Sequence, residues 1–266
     1  MSAEVRLVDT HCHLDFSEFD GGREELLSES RRSGIVGLVV PAVKRSSWAS
    51  LLSMAENYKG GAKIALGLHP YFIESHQESD LLELESHLSE CPSSCVAVGE
   101  IGLDATVSEY KQQEYFFDRQ LALAARFSLP VVIHSRKTHS QVYKKVKLAG
   151  VSGGVIHAFS GSRQEAEAFL SLGLKLGVGP VITWPRAAKT RSVLSSVALE
   201  CLVLETDAPD MPIFSKAKGQ GSPLDVLAVL DSLCEIRSEP RVDIAEQLLR
   251  NSAELFRCAQ WLKNGI

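Results

Sequence analysis

The chain has 266 residues, of which 45% are apolar and 23% charged, a composition that suits one large folded domain and excludes disordered, collagen-like and low-complexity classes. Lys and Arg number 28 against 33 Asp and Glu, a net charge of −5, which excludes a broad basic surface that wraps nucleic acid and requires any polyanionic substrate to be drawn in locally. Six cysteines without a CxxC pair read as reduced thiols, and the Cys91/Cys95 spacing as chance rather than half a zinc site.

The opening MSAEVRLVDTHCHLD carries acidic and polar residues where a secretory signal needs a basic patch and an apolar stretch, so a cytoplasmic location is expected. From there, eight short β-branched-rich runs recur at 7–9, 35–43, 63–69, 96–100, 131–134, 154–157, 174–178 and 202–205. Each is apolar nearly throughout rather than alternating, as strands of a parallel sheet covered on both faces should be. The longest, 35–43, is far shorter than the roughly 18 residues of a membrane span, so no membrane helix is expected.

Segments with helical spacing lie between the runs, such as Phe117, Leu121 and Ala124, or Ala166, Phe169, Leu170 and Gly173. Glycines at 21–22, 60–61, 150 and 153–154 punctuate the boundaries, where turns need a permissive backbone. After the eighth run a Pro/Gly-rich loop leads to two terminal helices, predicted over 224–235 and 242–256. Strand and helix alternating eight times predict a (β/α)8 TIM barrel, an α/β fold in a single domain over 1–266, with its active site at the C-terminal face of the strands.

The chemistry-bearing residues fall at the ends of those runs. Side chains alternate along a strand, so in Asp9-Thr10-His11-Cys12-His13 the two imidazoles point one way and Cys12 the other. Glu100 in VAVGEIGLD, His134 in LPVVIHSR, His157 in GGVIHAFSG and Asp207 in LVLETDAP each close a different run. Singly, each histidine also reads as a satisfied, partly buried side chain. Together, six N/O donors at strand C-termini and none at strand starts point to a metal site. Four imidazoles and two carboxylates suit zinc, manganese or iron better than calcium, with magnesium an option during turnover. Six donors exceed what one open catalytic zinc takes, which predicts two divalent cations sharing a bridging carboxylate.

At these residues the sequence resembles the TatD family of metal-dependent deoxyribonucleases, within the amidohydrolase-like barrels. DTHCHLD, GLHP, AVGEIGLD, the stretch 113–124, LPVVIHSR, HAFSGS, LETDAPDMP and NSAELF occur in the family's order. ITWPRAAKTR and LETDAPDMP look most like the YjjV-type branch. The resemblance implies that His11 and His13 bind one metal, His134 and His157 the other, that Glu100 bridges, and that Asp207 completes the first site. Glu100 stands where related amidohydrolases put a carboxylated lysine, which argues against dihydroorotase-like or urease-like assignments. Where many TatD proteins carry RNEP after the eighth strand, this chain reads KAKGQGSP at 216–223.

The mechanism this predicts is attack on phosphorus by a water acidified between two cations about 3.5–4 Å apart, with Asp207 and Glu100 as catalytic carboxylates and Asp207 taking the proton. His69 in GLHP and Arg136 in HSR are expected to bind substrate phosphate, His69 alternatively supporting a ligand. Trp184 with Arg186, Lys189 and Arg191 reads as a solvated helix start, with strand stacking as the alternative. His76, His87 and His139 are expected at the surface. DNA or another phosphate ester is the expected substrate, with no membrane and no obligatory protein partner. A metallohydrolase of amides, lactones or acyl esters, and a metal-binding scaffold without turnover, are the competing functions, since fold alone does not settle chemistry.

Overall fold

The computed structural model describes residues 5–58, 61–90 and 92–263; Gly60 of the expected 60–61 turn, Cys91 and the first four residues of the N-terminal segment lie outside the described residues. Strands and helices alternate along the chain: β1 (Leu7–Asp9), α1 (Arg23–Arg32), β2 (Ile35–Pro41), α2 (Trp48–Asn57), β3 (Ala62–Leu66), α3 (Glu78–Glu90), β4 (Cys95–Asp104), α4 (Tyr110–Arg126) and β5 (Val131–Arg136). The series continues with α5 (His139–Ala149), β6 (Gly154–Ile156), α6 (Arg163–Leu170), β7 (Leu174–Val178), α7 (Ala188–Ser196), β8 (Leu202–Leu204), α8 (Val226–Cys234) and α9 (Arg241–Leu255). One eight-stranded sheet runs in the order β1 to β8, the expected (β/α)8 barrel. No described helix is long and apolar enough to cross a membrane.

The chain divides into two compact units, residues 1–40, 158–163 and 176–266, and residues 41–157 and 164–175. In the first, β1 pairs in parallel with β2 and β7 with β8. The Thr10 amide donates to the Leu204 carbonyl at 2.9 Å, joining the β1 and β8 ends. Leu7, Val8, Leu202, Val203 and Leu204 are buried, as the unbroken apolar runs require. Asn251 of α9 donates to the Leu199 and Leu202 carbonyls at 2.8 and 2.7 Å, so the Asn of NSAELF satisfies backbone at the start of β8 that would otherwise be buried without a donor.

In the second unit, β3, β4, β5 and β6 pair in parallel in that order. Strand β4 extends to Asp104, four residues past its expected end. The pairing continues because Gly102 lies opposite His134, and a Cβ there would overlap the His134 carbonyl oxygen. The register shift in β4 falls between Val98 and Ile101, at Gly99 and Glu100, the kind of irregularity that aims a side chain beside a site. On α4, Phe117, Leu121 and Ala124 are fully buried, and Gln113 and Gln120 share that face two turns apart. Gln120 accepts the Leu68 amide at 2.7 Å and donates to the Leu68 carbonyl at 3.2 Å. Gln113 accepts the Asp104 amide at 2.9 Å and donates to the Ser108 carbonyl at 2.9 Å. The two glutamines thus hold the chain beyond β3 and the end of β4, the segments that carry His69 and Asp104.

Candidate metal centre

In the first unit, His11 and His13 lie just beyond β1 and Asp207 just beyond β8. The Asp207 amide donates to the His11 carbonyl at 2.7 Å and the His13 amide to the Ala208 carbonyl at 2.8 Å, which locks the two segments together. Asp9, fully buried, accepts from the His11 amide at 3.2 Å and from the Thr206 amide and hydroxyl at 3.0 and 2.6 Å. Burial pushes its carboxyl well above the usual carboxylate range. The two imidazoles converge as alternation requires, with their Nε2 atoms 3.3 Å apart, and each Nε2 is 3.4 Å from Asp207 Oδ1. Two imidazole nitrogens and a carboxylate oxygen within 3.4 Å of one another can turn their lone pairs toward one point, so this donor set fits a divalent metal.

In the second unit, Glu100 is 1% exposed, and its Oε1 is 2.9 Å from His69 Nε2, 3.2 Å from His134 Nδ1 and 2.9 Å from His157 Nε2. Glu100, His69 and His134 present donor atoms close enough to hold an ion. His69 also accepts the Tyr71 amide on Nδ1 at 3.0 Å, which leaves the ring proton on Nε2, donated to Glu100. That ring supports Glu100, and a phosphate would have to displace the bond to use it. Arg136, at the end of β5, is exposed.

Two carboxylates escaped the sequence reading. Asp104 Oδ2 lies 3.0 Å from His134 Nε2, on the opposite side of the ring from Glu100. Burial opposes its charge, but the bonds from His134 and Thr106 prevail and hold its carboxyl well below the usual range. Burial likewise opposes the His134 imidazolium, yet the bonds to Asp104 and Glu100 raise its pKa. The available signal was the alternation in Glu100-Ile101-Gly102-Leu103-Asp104. Glu205, fully buried, accepts the Ala158 amide next to His157 and lies against Gly177, where a Cβ would overlap it. Ala158 and Asp207, at φ of 46° and 51°, occupy the left-handed region that non-glycine residues enter at functional sites.

Three surface expectations are corrected. His76 is 5% exposed, its Nε2 bonded to the His69 carbonyl at 2.9 Å, and burial lowers its pKa. His87 packs edge-on to Trp48 with ring centroids 5.7 Å apart, and His139 meets Glu165 at 3.2 Å; both are half-buried. Polar neighbours in sequence misled because His87 of α3 and His139 of α5 pack against neighbouring elements, and His76, in the extended link before α3, turns back onto the His69 carbonyl. Trp184 donates to the Pro212 carbonyl at 3.3 Å and lies edge-on to Phe214, and Arg191 bonds the Ile182 carbonyl and Glu235. That cluster therefore anchors the loops after β7 and β8. In the segment that replaces RNEP, Lys216 pairs with buried Asp225 at 2.7 Å.

The sequence model of the family described as TatD related DNase matches residues 8–257. A metal-dependent hydrolase of Escherichia coli K12, YjjV, is 44% identical over 94% of this chain and 98% of its own length. The crystal structure of YjjV superposes with a TM-score of 0.92, covering 95% of this chain and 98% of that one. A protein of Pantoea vagans named 3'-5' ssDNA/RNA exonuclease TatD is 30% identical over 95% of this chain and all of its own.

Proposed function

Because the chain belongs to the TatD family and is a metal-dependent hydrolase, we propose that it cleaves DNA phosphodiester bonds with two divalent cations, zinc, manganese or magnesium. His11, His13 and Asp207 would hold one cation, His134 and His157 the other, and Glu100 both. The observation that carries this reading is the convergence of His11 Nε2, His13 Nε2 and Asp207 Oδ1 at 3.3–3.4 Å, close enough for one cation to touch all three. The exonuclease name of the Pantoea relative supports nucleic acid as the substrate class. One family model over 8–257 supports a single domain, and we place it in the cytoplasm without an obligatory protein partner.

When bound, the cations would acidify a water and polarise a phosphoryl oxygen. The chain's own residues do the rest. Asp207, aimed by its left-handed backbone and the His11 carbonyl, takes the proton of the attacking water and returns it to the leaving oxygen. Arg136 offers a planar fork to a non-bridging phosphate oxygen. His69 donates to Glu100 and keeps that carboxylate oriented.

The deciding experiment measures bound metal, then compares single-stranded DNA, duplex DNA, RNA, a simple phosphodiester and a lactone with and without chelator. Chelator-sensitive cleavage of the DNA and the phosphodiester is expected. Turnover of the lactone alone would move the assignment to carbonyl hydrolysis, and metal-independent cleavage would overturn the centre itself.

A further inference from the structure

In β4, Glu100, Gly102 and Asp104 are spaced to share one face of the strand, and Gly102 sits in register with His134 of β5. Since Gly102 has no side chain and a Cβ there would overlap the His134 carbonyl oxygen, the two backbones approach closely and the imidazole lies between the flanking carboxylates. Its Nδ1 is 3.2 Å from Glu100 Oε1 and 3.3 Å from His157 Nε2, and its Nε2 is 3.0 Å from Asp104 Oδ2. Glu100 alone would draw the proton to Nδ1, the nitrogen it faces, so the two carboxylates compete for the one proton of the neutral ring. Asp104 removes the ambiguity because it cannot turn. Its Oδ1 already accepts the Thr106 amide at 2.8 Å and the Thr106 hydroxyl at 2.6 Å, and its own amide is held by Gln113 at 2.9 Å. Asp104 is 1% exposed, so Oδ2 is shielded from bulk solvent. An ionised carboxylate only accepts, so the ring must present N–H at Nε2, and in the neutral ring Nδ1 then carries the lone pair.

We propose that Asp104 is the positioning residue of the Glu100 cluster: it fixes His134 as the Nε2–H tautomer and thereby makes Nδ1 the atom offered to a cation. The inference rests on the two-cation reading above. It also makes the two clusters separable. Asp104 acts on the Glu100 cluster through His134, so its loss is expected to weaken that cluster more than the cluster of His11, His13 and Asp207.

The test uses the full chain as wild type, Asp104→Asn and Thr106→Val, the last loosening Asp104 without removing its charge. In metal-free protein at a pH above the His134 pKa, imidazole 15N shifts assigned with His134→Gln should report the Nε2–H form in wild type and a mixed population in Asp104→Asn. Equilibrium dialysis with zinc should give two tight ions for wild type. In Asp104→Asn one ion should remain tight while the second weakens about 10–100-fold, with Thr106→Val intermediate. If Asp104→Asn does not fold, Thr106→Val carries the same comparison. Unchanged tautomer populations together with two wild-type zinc affinities in the variants would overturn the proposal. Should wild type bind no zinc, the two-cation reading falls, and the tautomer measurement on metal-free protein still decides the role of Asp104.

Discussion

Asp207 combines three roles at one position: a left-handed backbone at φ 51°, a donor oxygen 3.4 Å from two imidazoles, and the proposed proton relay. Asparagine tolerates that backbone, so Asp207→Asn tests the chemistry without disturbing the turn. At saturating metal its turnover is expected to fall by about 10²–10⁴, and an unchanged rate with metal retained would remove Asp207 from proton transfer. The His134–Asp104 pair makes a second prediction. The raised His134 pKa contributes stability that is present below about pH 6.5 and lost as pH rises through the folded value. The lowered Asp104 pKa contributes stability present above about pH 4 and lost as pH falls through its folded value. In metal-free protein the difference in Tm between wild type and Asp104→Asn should therefore be larger near pH 5.5 than near pH 8; a difference independent of pH would show that the pair is not linked to folding. The six candidate donors were legible as histidines and carboxylates closing apolar runs. Asp104 and Glu205 were not, because their meaning lies in the rings and amides they face on other strands.

At the scale of elements, glycine positions separate close approach from mere turn formation. Gly102 combines φ 147° with a Cβ position that overlaps the His134 backbone, whereas Gly150, at φ 63°, has open space around it. Gly102→Ala is expected to destabilise by about 2–3 kcal/mol and Gly150→Ala by about 1 kcal/mol, compared by urea unfolding. Equal losses would mean that the β4–β5 approach is not constrained at Gly102. Gln120→Ala strands the buried Leu68 amide and carbonyl and should lower stability by about 1–3 kcal/mol; a neutral result would show that water replaces the amide. Strand positions were readable from apolar runs, and β1 and β7 match their expected bounds. The extension of β4 to Asp104 was not, since polar and glycine residues mark a strand's end only when no neighbouring strand continues the ladder. The glutamines of α4 were likewise unreadable as clamps, because their partners are backbone groups 52 and 9 residues away.

For the whole molecule, the proposed cations would bind only the folded arrangement of these histidines and carboxylates, so ligand linkage predicts a lower Tm after chelation. At a metal concentration 100 times Kd the stabilisation per site is about 2.7 kcal/mol, or roughly 5–11 °C for a domain of this size, and a Tm insensitive to chelator would contradict tight binding. A net charge of −5 predicts a shallow salt dependence for single-stranded DNA, a log–log slope of about −2 rather than the steep value of a groove-wrapping protein. The amino-acid sequence by itself determined the alternation of buried strands and amphipathic helices, hence the barrel, and the chemical kinds of donor at strand ends, because periodicity and residue type are local properties. Only the tertiary structure decided which nitrogen of each imidazole faces its cluster, which histidines are buried and which second carboxylate holds His134, because tautomer, burial and hydrogen-bond partner are properties of a side chain's neighbours in space.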